Sequence, residues 1–327
     1  MKKDTPGTLL VPGVFLCIAE KGATMGDKVF NGIIVVNKEK GFTSHDVVAK
    51  LRGICKQKKI GHTGTLDPDA TGVLPVCLGR ATKVCDMLTD SDKEYEAVML
   101  LGITTDTQDT SGTILEECST KELTEADVVR VIRSFVGEYD QVPPMYSALK
   151  VNGQKLCDLA RKGIEVERKS RKVTIYNIEI KEMNLPFVTM RVSCSKGTYI
   201  RTLCHDIGHA LGVGGCMKEL IRTKAAGFVI ENAFLLSEIE KLGKENNIEN
   251  ILIPVDCVFE NYQPVHVKKD FQILYKNGNP LDGNMFIETE ISVTEPLRVY
   301  DEENEFIGVF QYKEERQMFC PVKMFLN

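Results

Sequence analysis

Apolar runs separated by polar and glycine-rich breaks divide the chain into short elements of two kinds. Gly32-Ile33-Ile34-Val35-Val36-Asn37 is a continuous apolar run of strand length, as expected for a buried strand. Ser44 stands where a cap is expected for a helix carrying Val47, Val48, Leu51 and Ile54 on one face. Residues 60 to 72 are dense in glycine and proline and read as a loop. A strand (73 to 78), a short helix (81 to 88) and another strand (95 to 101) follow. Thr124 is placed to cap a helix running through Phe135, with Gly137 just past its end. Pro143-Pro144 break the chain before an expected strand at 145 to 151, and 154 to 162 reads as a short helix. Strands are expected at 172 to 182 and 187 to 194, and residues 198 to 211 form an amphipathic helix closed by Gly212. Residues 231 to 260 read as an acidic connector with one or two short helices. Beyond 264, turn signals alternate with short apolar strands at 297 to 300, 306 to 310 and 318 to 322.

With 327 residues the chain exceeds one average domain. Three parts are expected. Residues 1–28 lack periodicity and read as a disordered N-terminal extension, in which Met25 looks like an alternative start. Residues 29–260 form the main domain, and residues 261–327 a small β domain. The fold class is α+β: a large mixed β-sheet with flanking helices, and a small C-terminal β-barrel. No apolar stretch reaches the roughly 18 residues of a membrane helix. The run from Leu9 to Ala19 has poor flanks for a signal peptide, so a cytoplasmic protein is expected.

Eleven cysteines include no C-x-x-C pair, and most sit in apolar runs such as Val76-Cys77-Leu78, which favours buried reduced thiols over metal or disulfides. Formal net charge is -5, yet the charge is unevenly spread. Residues 38 to 62 hold bases at 38, 40, 50, 52, 56, 58 and 59 against acids at 39 and 46, a local excess of five. Residues 148 to 172 hold bases at 150, 155, 161, 162, 168, 169, 171 and 172 against acids at 158, 165 and 167, again an excess of five. Local basic patches bind phosphate whatever the total charge, although two solvated faces would give the same pattern.

The segment with most chemical content is Gly61-His62-Thr63-Gly64-Thr65-Leu66-Asp67-Pro68-Asp69-Ala70-Thr71-Gly72. A residue before proline is biased towards extended backbone, and the glycines permit close approach of a ligand. On its own this pattern also fits a structural loop with an exposed aspartate. His205-Asp206-Ile207-Gly208-His209 lacks the glutamate of a zinc protease motif, and Asp106 to Gly112 lacks the closing glutamate of a calcium loop.

Together with Gly79-Arg80-Ala81-Thr82-Lys83, this segment resembles the active-site motif of the TruB family of pseudouridine synthases. Further blocks similar to that family follow in order. They are Lys93-Glu94-Tyr95-Glu96-Ala97, Thr105-Asp106-Thr107-Gln108-Asp109, the run from Gln141 to Lys150, and Ser195-Lys196-Gly197-Thr198-Tyr199-Ile200-Arg201. The resemblance covers residues 31 to 230. Ile221 departs from it where a second arginine is common, as does Gly215-Cys216, and residues beyond 261 resemble the family's small RNA-binding barrel only weakly.

The resemblance implies an isomerase that converts a uridine in the T-loop of tRNA, position 55, to pseudouridine. The N1–C1′ bond breaks, the uracil turns, and C5 joins C1′. No water is consumed, so one carboxylate can suffice where a glycosidase needs two. By resemblance Asp67 is that carboxylate, attacking the sugar or removing its C2′ proton. Arg201 orients it and lowers its pKa, and Tyr95 stacks on the flipped base with Tyr199 beside it. His62, Lys83 and Lys196 are expected to contact the RNA. No metal or cofactor is implied. The partner implied is the T-arm of tRNA, without a guide RNA or obligatory protein. An RNA-binding or RNA-folding protein with secondary catalysis is the rival class, and intact Asp67, Tyr95 and Arg201 weigh against it.

Overall fold

The computed structural model describes residues 29–151 and 153–326. The expected N-terminal extension lies outside the described residues.

Two pairings on one strand open the main sheet. β1 (Gly32–Lys38) pairs with β3 (Thr71–Leu78), and the short β2 (Ile60–His62) also lies on β3. Between β1 and β2 runs α1 (Ser44–Cys55), which buries Val47, Val48, Leu51 and Cys55. Its cap is Thr43, one residue before the expected Ser44. Asp46 N–H donates to the Thr43 hydroxyl, and the Asp46 carboxylate accepts from Thr43 N–H, a reciprocal capping box. Ser44 is thereby freed to face inward. The expected helix at 81 to 88 is a 3-10 turn (Gly79–Val84) running into α2 (Cys85–Thr89).

β4 (Lys93–Leu101) alternates buried and half-buried residues, as a strand with one face in the core must. A two-stranded ribbon, β5 (Ile103–Thr105) and β6 (Ile114–Glu117), leads to α3 (Glu125–Ser134), capped by Thr124 as expected. β7 (Gly137–Gln141) starts at Gly137 with φ +115, where the left-handed region favours glycine. The strand expected at 145 to 151 shrinks to a ribbon of β8 (Lys150–Val151) and β9 (Gln154–Lys155), leaving α4 only Leu156–Ala160. β10 (Arg171–Asn184) and β11 (Phe187–Cys194) form the expected hairpin, and α5 spans Ile200–Ala210.

A strand that the sequence pattern does not announce follows. β12 (Gly215–Ala225), extended by β13 (Phe228–Val229), lies in the middle of the sheet, whose order is β1-β3-β12-β4-β11-β10-β7. Bulges between Met217 and Glu219 and between Arg222 and Lys224 break its alternation, which hides it from a period-two reading. Its pairing with β3 is parallel, at Ile221 with Thr71 and Arg222 with Gly72. The main core, from Leu66 and Tyr95 to Leu203 and Leu220, lies between this sheet and helices α3 and α5.

The acidic region is less loose than a connector. It folds as α6 (Leu236–Lys244) and 3-10 turns at 248–251 and 255–259, and it buries Leu236, Ile239 and Ile248 against α1, β1 and β3. The C-terminal part has its own core. β14 (Gln263–His266), β15 (Leu297–Tyr300), β16 (Phe306–Lys313) and β17 (Met318–Met324) form a sheet in that order, with the short helix α7 (Gln272–Lys276). This is an open sheet, not a closed barrel, among the described residues. Single bridges (Val267 to Phe286, Leu281 to Phe319) take the place of further strands.

Candidate active site

The loop between β2 and β3 is pinned on both sides of Asp67. Upstream, Leu66 N–H donates to the Ser44 hydroxyl at 3.0 Å. Downstream, the Pro68 carbonyl accepts from Gly41 N–H at 2.9 Å and from Lys38 Nζ at 3.1 Å. Ala70 N–H closes a turn onto the Asp67 carbonyl, with Pro68 at the position its fixed φ suits. Lys38 is fully buried at the end of β1, and its ammonium is spread over the carbonyls of Glu39, Phe42 and Pro68. Burial lowers its pKa to about 8.

Arg201, on the first turn of α5, meets this loop from the other side. Its side chain is 6% exposed and grips the Asp67 carboxylate with two nitrogens, Nε to Oδ2 at 3.0 Å and Nη2 to Oδ1 at 3.3 Å. The remaining donors are used as well. Nη2 donates to the Tyr146 carbonyl at 2.9 Å, and Nη1 to the Thr107 carbonyl at 3.1 Å and the Asp109 carboxylate at 3.3 Å. One guanidinium thus ties together four segments, and a planar fork with five donors is the group able to do so. Thr202 adds a bond to the Gln108 side chain.

Asp67 remains 39% exposed at its side chain, so it is held yet open to a ligand. Burial pushes its carboxyl above the usual range. Arg201 and Lys38 oppose the rise, while Asp109 and Asp69 add to it. The lowering expected of Arg201 is present but is outweighed by desolvation.

Two aromatic side chains lie close to this carboxylate. Tyr95 projects from β4 into the core, and burial raises its pKa, with Asp67 close enough to add to the effect. Tyr199 is the residue before α5 and is half-buried; its phenol is likewise raised by burial. Buried Gln141 fixes its backbone on both sides, donating to Tyr199 C=O at 3.0 Å and accepting from Tyr199 N–H at 2.7 Å. A carboxylate gripped by an arginine beside two aromatic faces can hold a flat ring and act on the atom attached to it.

Comparison with known proteins gives this arrangement its context. The model of the TruB family pseudouridylate synthase N-terminal domain matches residues 52–200, and that of the tRNA pseudouridylate synthase B C-terminal domain matches 201–260. Over 308 residues the chain is 54% identical to tRNA pseudouridine synthase B of Lachnoclostridium phytofermentans, covering 90% of this chain and all of that protein. The protein of the same name from Clostridium tetani is 48% identical, covering 87% of this chain and 96% of its own length. The chain belongs to the TruB family of pseudouridylate synthases.

Solved structures agree with TruB membership. A Cbf5-Nop10-Gar1 complex contains a chain 28% identical, with a TM-score of 0.66 over 90% of this chain and 85% of that one. A chain of an H/ACA RNP bound to a substrate RNA containing 2′-deoxyuridine is 26% identical, at 0.65 over the same shares. As a TruB protein the chain is an enzyme, an isomerase that turns uridine into pseudouridine.

Of the residues expected from the TruB resemblance, Asp67, Arg201, Tyr95 and Tyr199 come together. His62 lies on β2, its ring edge-on to His45 at 5.3 Å, and burial lowers its pKa. The two lysines take partners elsewhere. Lys83 donates to the Met324 carbonyl at 2.7 Å, and Lys196 pairs with exposed Asp90 at 2.8 Å. Sequence reading did not single out Lys38, Asp109, Gln141 or Arg222. Asp109 and Gln141 lie inside blocks that it did quote, and Lys38 is a lone cation closing an apolar strand, which was the signal available.

Proposed function

We propose that this TruB enzyme isomerises the uridine at position 55, in the T-loop of tRNA, and that Asp67 is its catalytic carboxylate. The observation that carries the reading is the two-point grip of buried Arg201 on a carboxylate that stays open to a ligand. A flipped uridine brought against this carboxylate exchanges its lost stacking for the faces of Tyr95 and Tyr199. The ribose then meets Asp67, which attacks C1′ or removes the C2′ proton. Either route needs the ionised carboxylate that Arg201 favours. The uracil leaves with the N1–C1′ electron pair, turns against the tyrosine face, and joins C1′ through C5 as the bond to Asp67 breaks or the C2′ proton is returned; C5 then loses its proton and N1 gains one. His62 and the exposed Lys83 and Lys196 contact the RNA, the two lysines at a distance from Asp67. No metal or organic cofactor takes part.

The tRNA substrate is supported by the names of the relatives, whose full length the chain matches. The TruB-like structural neighbours sit in multi-component complexes, but higher identity to the bacterial tRNA enzymes supports a stand-alone enzyme that needs neither guide RNA nor protein partner. Residues 29–260 carry catalysis, and 261–327 extend the RNA surface. No helix among the described residues is long and apolar enough to cross a membrane, and we assign the enzyme to the cytoplasm, where its substrate is. Incubating the purified chain with unmodified tRNA alone tests this reading. Pseudouridine should form at position 55 and nowhere else, and a need for added RNA or protein would contradict it.

A further inference from the structure

The largest fully buried side chain of the described residues is an arginine outside the group just described. Arg222 of β12 is 1% exposed, in the middle of the sheet. Among the described residues no carboxylate lies within ion-pair distance of it. Its Nε donates to the Val73 carbonyl at 2.7 Å and its Nη2 reaches the Gly64 carbonyl at 3.5 Å. Burying a guanidinium without a counter-charge is costly, so its neighbours define what it can do.

Those neighbours belong to the strand that carries Tyr95 and to the loop that carries Asp67. Across the antiparallel pairing, Arg222 stands opposite Tyr95 on the same face of the sheet, and its guanidinium is close enough to oppose the rise that burial imposes on the Tyr95 hydroxyl. Across the parallel pairing it stands opposite Gly72, and a Cβ at Gly72 would lie 2.3 Å from the Arg222 carbonyl. Gly72 has φ +102, so both space and backbone conformation require glycine there. Gly64 and Gly72 are the two ends of the loop carrying Asp67. Main chain and side chain of one residue therefore contact both ends of that loop, and the same residue stands opposite the tyrosine facing it.

We propose that Arg222 is a positioning residue for isomerisation: it holds the Tyr95 hydroxyl and the Gly64–Gly72 loop in one register, so that the aromatic face and Asp67 are aligned together. Arg222 acts through these two groups and does not touch the RNA. Charged or titratable groups facing Tyr95 are Arg222 from β12, Cys194 from β11 and Asp67 from the loop. Only Arg222 among them brings a positive charge. The proposal rests on the functional reading above, because it takes Tyr95 and Asp67 as the groups that need alignment.

Arg222→Lys keeps the charge but cannot reach Val73, Gly64 and Tyr95 at once. Single-turnover pseudouridine formation, tRNA affinity and Tm are measured for Arg222→Lys, Tyr95→Phe and the double variant, with Asp67→Asn as control. Misalignment on the ångström scale is expected to slow turnover roughly 10- to 100-fold in Arg222→Lys while tRNA affinity changes less than about 3-fold. In the double variant the second change adds little, because Arg222 works partly through the hydroxyl already removed. Equal losses of rate and affinity, a rate loss that only follows a fall in folded fraction, or fully multiplicative losses would overturn the proposal. If Arg222→Lys does not fold, Tyr95→Phe decides: a wild-type rate there means the held hydroxyl is not used, and the proposal falls. An active Asp67→Asn sinks the functional reading itself, whereas an inactive one beside wild-type Arg222→Lys sinks this inference alone.

Discussion

At the residue scale, Asp67 is governed by opposed forces of similar kind. Desolvation and the nearby Asp109 and Asp69 raise its carboxyl, and Arg201 and Lys38 hold it down. It must be ionised to act, so turnover is full above its pKa and falls as pH drops through it. Replacing Asp109 by Asn removes one of the groups that raise it. The acid limb of the single-turnover rate should then move to lower pH, and a limb that stays in place or moves upward would show that Asp109 does not sense Asp67. The proximity of Asp67, Tyr95, Tyr199 and Arg201 could be anticipated because all four sit inside motifs spelled out along the chain. That of Lys38, Gln141 and Arg222 could not. Each is a polar side chain whose importance lies in burial among segments distant in the chain, and sequence pattern carries no record of that.

At the scale of elements, the loop of Asp67 borrows its order from its neighbours. Ser44 satisfies the Leu66 N–H from inside α1, a task open to it because Thr43 takes the cap. Ser44→Ala leaves that buried N–H without its partner and should destabilise the fold by about 1–3 kcal/mol. Turnover of the folded fraction should fall as well, since Leu66 adjoins Asp67; chemical denaturation and single-turnover assays measure the two effects, and an unchanged denaturation midpoint would contradict the role. Helices with clean periodicity and caps, such as α3 behind Thr124 and α5, were readable within a residue or two. β12 was not, because two bulges and the polar residues Lys218, Glu219, Arg222 and Lys224 blur its alternation. That irregular strand carries Arg222, so the unread element is also the one that supports the site. The strand expected at 145 to 151 failed for the opposite reason: Pro143-Pro144 were read as a break, but the chain after them stays irregular and lends the Tyr146 carbonyl to Arg201.

For the molecule as a whole, an acidic protein has to bind a polyanion. Lys56, Lys58 and Lys59 are exposed at the end of α1 and the start of β2. Lys59, Arg80 and Lys83 are near enough for the first two to disfavour charge on the third. Arg80 and Lys83 also donate to the carbonyls of Phe325 and Met324, which fastens the C-terminal sheet beside this basic surface. Neutralising Lys56, Lys58 and Lys59 together should weaken tRNA binding and flatten its salt dependence, by about one log-log unit for each phosphate that no longer meets a lysine. An unchanged slope would mean that these lysines face solvent only. The small C-terminal sheet was legible from turn signals and strand spacing, whereas its failure to close into a barrel was a matter of long-range pairing that the spacing could not report.

The central claim is that one carboxylate carries the chemistry, and its loop contains its own control. Asp67 and Asp69 share the loop and the charge, but only Asp67 is gripped by Arg201, while Asp69 lies 4.0 Å from exposed Lys40. Asp67→Asn nearly keeps the shape and removes both nucleophilicity and basicity. Single-turnover pseudouridine formation, measured beside tRNA affinity for Asp67→Asn and Asp69→Asn, is the direct test. Turnover should fall by several orders of magnitude in Asp67→Asn with binding retained, and change little in Asp69→Asn. Substantial activity in Asp67→Asn, or loss of activity in Asp69→Asn instead, would contradict the account.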